Sequence, residues 1–253
     1  MYNDIKLSSI LFLDIECVSG EATFEEVPET LAALWAAKAP RVMRVDSLTE
    51  EEVAASYTDR AAIYAEFGRI VCISVGIVAP TDEGEVLRVK SFADPDERVI
   101  LDDFAALLNS SSSLRNFCGH NIREFDIPYI GRRMLIHGMK LPGLIDLRGK
   151  KPWECKHLLD TMEMWSFGDR KNYTSLKLLA ALFGVPSPKD DIDGSQVGRV
   201  FWEENDLDRI AVYCEKDVVA TTNVFMALTH RPLIPEGRVK LVARENDGMD
   251  DDG

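Results

Sequence analysis

No C-x-x-C pair occurs in this sequence. Its five cysteines, Cys17, Cys72, Cys118, Cys155 and Cys214, are scattered over 253 residues. That spacing excludes a zinc ribbon and a disulfide framework. Cysteines so placed read as reduced, partly buried thiols, the state expected in the cytoplasm. Long hydrophobic runs are also missing. The apolar stretch at residues 10–13 ends directly at Asp14, too short for a signal-peptide core or a membrane span. Positive charge is in deficit, with 29 Lys and Arg against 43 Asp and Glu and a net charge of -14. Bulk charge therefore does not draw polyanions to the chain. A nucleic-acid ligand would need metal ions and a local basic surface. No internal repeat is present, so the chain is not a repeat array.

What is present is ordinary for a globular protein: 46% hydrophobic and 28% charged residues, enough for one sizeable domain. Residues 9–16 read as a first buried strand. The next segment, about 20–67, reads as a helical insertion. One helix is expected over 29–39 between Pro28 and Pro40, with Trp35 as its apolar anchor. A second opens at the capping-box pattern Thr49-Glu50-Glu51-Glu52 and runs to about 66. Residues 69–79 and 85–92 flank a turn and read as an antiparallel hairpin. A helix over 97–108, a short strand over 114–118, a helix over 126–137 and a brief strand over 157–162 follow. Three more helices are expected over 175–183, 195–205 and 206–228. This order fits an α/β domain over residues 1–230 with a mixed central β-sheet flanked by helices. Residues 231–253 read as an acidic tail whose tip cannot support a core.

Three places carry candidate chemistry. Residues two apart on a strand point to the same side, so Asp14 and Glu16 project together from the end of a buried strand. Two like charges there have little structural purpose, but hard divalent cations take such oxygen ligands. Asp126 follows a strand and starts a helix, and its bland role is a helix N-cap. Tyr213 and Asp217 lie four apart on the last long helix and share a face. Its apolar residues Ile210, Val212, Val218 and Val219 indicate that much of this helix is buried.

Taken together, Phe12-Leu13-Asp14-Ile15-Glu16, then Asn121-Ile122-x-x-Phe125-Asp126-Ile127-Pro128-Tyr129-Ile130, then Tyr213-x-x-x-Asp217 resemble the three exonuclease motifs of the DEDD superfamily. The likeness is to the exonuclease domain of family B DNA polymerases. It is closer still to stand-alone bacterial proteins predicted as 3′–5′ exonucleases related to that domain. His157-Leu158-Leu159-Asp160 and Lys171-Asn172-Tyr173 also resemble that group. The resemblance implies a ribonuclease H-like fold and four metal ligands, Asp14, Glu16, Asp126 and Asp217, holding two Mg²⁺ or Mn²⁺ ions. Tyr213, with Val212 rather than His before it, matches the tyrosine branch. The implied activity is release of nucleoside 5′-monophosphates from the 3′ end of single-stranded DNA, or of RNA at the same site. A nucleic-acid-binding module without turnover would not need the full set of acids. The long connection over 20–67 and the lack of a polymerase domain depart from the polymerase pattern.

Substrate contacts are expected from Asn121 and Phe125 and from a basic stretch. Between residues 132 and 177 lie ten Lys and Arg against five Asp and Glu. Lys150, Lys151 and Trp153 are its candidates, with Trp153 and Tyr173 interleaved to stack on bases. The bland alternative tucks Trp153 into the core. Asp160 reads as a structural hydrogen-bond acceptor, His120 as a satisfied turn residue, and Asp190, Asp191 and Asp193 as helix caps.

Overall fold

Strand β1 (Ile10–Ser19) carries apolar side chains on both faces, as a strand covered on two sides must. The computed structural model, which describes residues 2–169, 173–186 and 192–242, places it near the centre of the sheet. Leu11, Leu13 and Ile15 face a cluster built from α3 (Glu97–Ser110) and α4 (Asp126–Ile136), including Ile100, Phe104, Ile127 and Ile130. Ile10 and Phe12 face the other way, onto Val218, Phe225 and Met226 of α8 (Leu207–Leu228). Phe12 and Phe225 meet edge to face with centroids 5.6 Å apart. The strand's alternation therefore assigns its next even-numbered side chains, Asp14 and Glu16, to the α8 side.

β1 pairs antiparallel with β2 (Gly68–Thr81), which pairs antiparallel with β3 (Gly84–Ala93). On its other side β1 runs parallel to β4 (Asn116–Gly119), and β4 parallel to β5 (Leu158–Asp160). The order is β5-β4-β1-β2-β3-β6, a mixed sheet flanked by helices and of the ribonuclease H-like type. The sixth strand, β6 (Val239–Leu241), lies parallel to β3. It comes from the stretch expected to be a tail, while the tip at 243–253 lies outside the described residues. The chain also turns into a short helix, α5 (Thr161–Ser166), directly after β5, where the sequence suggested strand to residue 162. Asp160 ends the strand by accepting the Met162 and Glu163 backbone N–H groups at 3.0 and 3.2 Å. Between α5 and α8 lie two further helices among the described residues, α6 (Leu176–Leu182) and α7 (Val197–Trp202). Among the described residues, no helix is long and apolar enough to cross a membrane.

The segment between β1 and β2 is helical, as expected. It contains α1 (Glu29–Met43) and α2 (Glu50–Arg60). The Thr49–Glu52 capping box opens α2, with hydrogen bonds of 2.8 and 3.3 Å. Helix α1 runs through Pro40 instead of stopping before it, and ends at Arg44 in a left-handed conformation. Trp35 is its anchor, fully buried against Tyr57, Tyr64 and Phe67, with its indole N–H donated to Ser56. This satellite core is separate from the clusters that cover the sheet.

Gly76 of β2, opposite Phe12 in the register, sets how close α8 comes. A Cβ there would stand 2.8 Å from Val218 Cγ1 and 3.1 Å from Leu87 Cδ1. The missing side chain lets α8 lie against the sheet at the level of the acids.

Candidate active site

Asp14 and Glu16 lie on β1 opposite Ser74 and Cys72 of β2, just before a register shift between Glu16 and Cys17. Such a shift bends the strand locally and re-aims its side chains. Asp14 is half-buried and Glu16 buried. Burial raises the pKa of both well above the usual carboxylate value. Next in effect is the charge of Asp217, and Asp126 adds to it on both. Asp217 and Asp126 thus stand near the β1 pair, from α8 and from the start of α4. Besides burial, the largest effects on Asp14 and Glu16 come from these acids and, on Glu16, from Cys72.

Asp126 is the first residue of α4, and Phe125 holds the cap position without a side-chain hydrogen bond. The Asp126 carboxylate is buried, which pushes its pKa up to about 7. Its own backbone N–H and that of Ile15 act in the opposite direction. The Ile15 contact ties the α4 start to β1, between the two acids.

Tyr213 and Asp217 lie on α8, both half-buried. Cys214, which reads in the sequence only as one of the scattered reduced thiols, sits between them. Its thiol donates to the Asp14 carbonyl at 3.4 Å and approaches Asp14 Oδ2 at 3.5 Å. Ligating atoms of Asp14, Glu16 and Cys214 all lie within 4.8 Å of one another. The signal available in sequence was its spacing, since positions 214 and 217 share a helix face. Burial raises the thiol's pKa, and a hydrogen bond with Cys72 and the adjacent acids raise it further.

The turn before Asp126 is held from β5. Asp160 accepts the backbone N–H groups of Asn121 and Arg123 at 3.1 and 3.2 Å, besides capping α5. Asn121 takes a left-handed φ of 65°, which Asn tolerates better than most residues. Its Oδ1 is buried without a hydrogen-bond partner. Phe125 is half-buried against Tyr129, with centroids 5.4 Å apart. His120 is satisfied on both ring nitrogens, by Thr161 Oγ1 at 2.9 Å and the Thr174 carbonyl at 2.8 Å.

The basic stretch divides. Arg133 belongs to the core, in a two-pronged pair with Glu97 at 2.5 to 3.1 Å. Arg148 pairs with Asp146. Lys150, Lys151 and Trp153 are exposed; Trp153 is 64% accessible, not tucked into the core, and the Lys151 ammonium lies 5.2 Å from its ring centroid. Arg123 ties their loop to the turn before Asp126, donating to the Pro152 and Cys155 carbonyls and pairing with Glu163. Tyr173 is also exposed, and its hydroxyl donates to Glu124 beside that turn. Exposed Phe167 was not singled out in the sequence. Asp193 accepts from Ser195 in the turn before α7, and Gln196 holds the cap position. Arg170, Lys171, Asn172, Asp190 and Asp191 lie outside the described residues.

Residues 63–236 match a family described as a predicted 3′–5′ exonuclease related to the exonuclease domain of PolB. The matched stretch contains Asp126, Tyr213 and Asp217 and leaves β1, α1 and α2 outside it. Among solved structures, the chain resembles the family B DNA polymerase from the hyperthermophilic archaeon Pyrobaculum calidifontis. The TM-score is 0.51 at 15% identity, over 87% of this chain and 27% of the polymerase. The chain thus spans about a quarter of that protein. No curated protein matches the sequence.

Proposed function

Because this chain belongs to the family of predicted 3′–5′ exonucleases related to the exonuclease domain of PolB, we propose that it shortens single-stranded nucleic acid from the 3′ end, releasing nucleoside 5′-monophosphates. DNA is the favoured substrate, since both the family description and the polymerase likeness point to DNA polymerases. The observation that carries the reading is the gathering of Asp14 and Glu16 with Asp126 and Asp217 on three different elements, where the charges that most shift Asp14 and Glu16 are those of the other acids. Crowding like charges at a partly buried site is costly. Carboxylate oxygens suit hard divalent ions, so the donor set fits Mg²⁺ or Mn²⁺. A pair of such ions held by these four residues would supply the positive charge and Lewis acidity for phosphodiester hydrolysis.

The chain's own groups then have distinct tasks. Asp14 and Glu16, on a strand packed on both faces, give the site a rigid floor. Asp126 and Asp217 close it from the two helices. A free phenol has a pKa of about 10 and is a poor general base at neutral pH. Tyr213 is therefore assigned to hold the attacking water or the scissile phosphate in line. Asn121 and Phe125, in the turn that leads into Asp126, are assigned to substrate contact beside the acids. Lys150, Lys151 and Trp153 form a rim where a cation meets phosphate and an aromatic face meets a base. The five free cysteines fit a reducing cytoplasm.

The test uses 5′-labelled DNA and RNA strands of one sequence, with Mg²⁺, Mn²⁺ or EDTA. Metal-dependent shortening, faster on DNA, is the expected result. Faster shortening of RNA would reassign the substrate, and no shortening of either would overturn the reading.

A further inference from the structure

The helical insertion carries a second concave surface. A cavity of about 520 Å³ is lined by Lys38, Arg41, Val42, Arg44 and Tyr64. Three of its five lining residues are cationic, in a chain of net charge -14. Among the described residues, none of the three is paired with a carboxylate. The Lys38 ammonium sits 4.0 Å from the centroid of the Tyr64 ring and 5.6 Å from that of Phe67, a cation–π seat that fixes its position. Arg44 takes a left-handed conformation, φ 60° and ψ 42°, which residues other than Gly and Asn seldom adopt. Cations near a helix C-terminus also complement its dipole. Here, however, the Pro40 and Arg41 carbonyls already accept the Val45 and Arg44 backbone N–H groups at 3.0 and 3.4 Å, while Arg41 and Arg44 are exposed.

The cavity also lies toward the end of β1 that carries the acids. The Tyr64 carbonyl accepts the Phe67 and Gly68 N–H groups, and Gly68 pairs with Ser19, three residues past Glu16. Three strand residues span about 10 Å. Lys38 and Arg41 stand three apart on α1, about 4.5 Å of rise, and Arg44 follows three residues on, just past the helix end. Such a row suits a chain of phosphates better than one small anion.

We propose that this cavity binds the backbone phosphates of the nucleic-acid strand, a few nucleotides upstream of the 3′ end held at the acid cluster. The assignment rests on the exonuclease reading and gives the insertion a task in substrate binding. The cavity contacts phosphate and not bases, so it adds affinity without sequence preference.

The test measures binding by fluorescence anisotropy with Mg²⁺ present, in an Asp14→Asn background that silences turnover. The probes are a labelled DNA strand of about 20 nucleotides and a trinucleotide, bracketing the range of single-strand site sizes. Each neutralised phosphate contributes about 0.7 to the log–log salt slope for single strands. Replacing Lys38, Arg41 and Arg44 together with Ala should lower the slope by about 2. It should weaken the long strand on the order of 10²-fold at about 0.1 M salt, and leave the trinucleotide unchanged. Should the triple variant not fold, Arg41→Gln with Arg44→Gln keeps Lys38 on its aromatic seat and should lower the slope by about 1.4. Unchanged long-strand affinity and slope would overturn the proposal, as would an equal loss on both probes. Length-dependent loss in a protein that nevertheless does not shorten strands would uphold the cavity and overturn the exonuclease reading. Shortening by the wild type with no binding loss in the variant would overturn the cavity alone.

Discussion

Gly76→Ala tests whether the approach of α8 sets the site. Gly76 has ordinary backbone geometry, so Ala would otherwise add about 0.4–1 kcal/mol by restricting the unfolded chain. The folded structure opposes this. The new methyl would stand 2.8 Å from Val218 Cγ1, against a comfortable carbon–carbon distance of about 3.5–4.0 Å. Val218, next to Asp217, would have to move by about 0.7–1.2 Å. Overpacking of this kind costs about 1–3 kcal/mol, so a net loss of about 1–2 kcal/mol is expected. For a chain this size that lowers the melting temperature by about 2–8 °C. Displacement of catalytic groups by about 1 Å can cost on the order of 10²-fold in rate, so turnover should fall more than stability. Val218→Ala in the same chain removes the clashing methyl. The double variant should be more stable than the two single losses predict, by about 1 kcal/mol, and should regain activity. Thermal melts beside single-turnover rates read both effects. Gly76→Ala with raised stability and wild-type rate would refute the claim that this contact positions α8.

Asp14→Ala and Glu16→Ala should each abolish turnover, yet melts in EDTA should hold or rise, since each removes an acid repelled by its neighbours; large losses in both would make them structural. Tyr213→Phe should lower kcat by at most about 10²–10⁴-fold with metal affinity unchanged by calorimetry, and a wild-type rate or lost metal binding would contradict its orienting role. Glu97→Gln leaves the Arg133 charge unpaired in a site where its side chain is 12% exposed, so a loss of about 3–5 kcal/mol is expected by denaturant titration. Burial alone would raise the Glu97 pKa, but hydrogen bonds from Arg133, the Ile70 N–H and His137 hold it below the ordinary value. Its stabilisation is therefore present above the unfolded carboxyl pKa of about 4.3 and lost as pH falls through the lower folded pKa. The variant should lack that acid-side loss.

The β1 acids were legible in the sequence because strand alternation is local: the residues that bury Ile10 and Phe12 against α8 also aim Asp14 and Glu16 there. Asp126 at a helix start and Tyr213 with Asp217 on one face follow from equally local periodicity. Cys214 was not legible, because its contact with Asp14 depends on how α8 is rotated against the sheet. Arg133 read as surface charge, yet its partner Glu97 lies 36 positions away and the pair closes in the core. A three-residue strand such as β6 has too few residues to show a period, and only pairing with β3 defines it. Pro40 read as a stop, but it lies in the last turns of α1, which ends soon after at Arg44.

The most direct test of the central claim is a time course on a 5′-labelled single strand with Mg²⁺ or Mn²⁺, run beside an EDTA control and a closed circular strand. The labelled product should shorten one nucleotide at a time from the 3′ end, EDTA should stop it, and the circle should stay intact. Immediate release of a labelled 5′ mononucleotide, cutting of the circle, or shortening that persists in EDTA would contradict a metal-dependent 3′–5′ exonuclease.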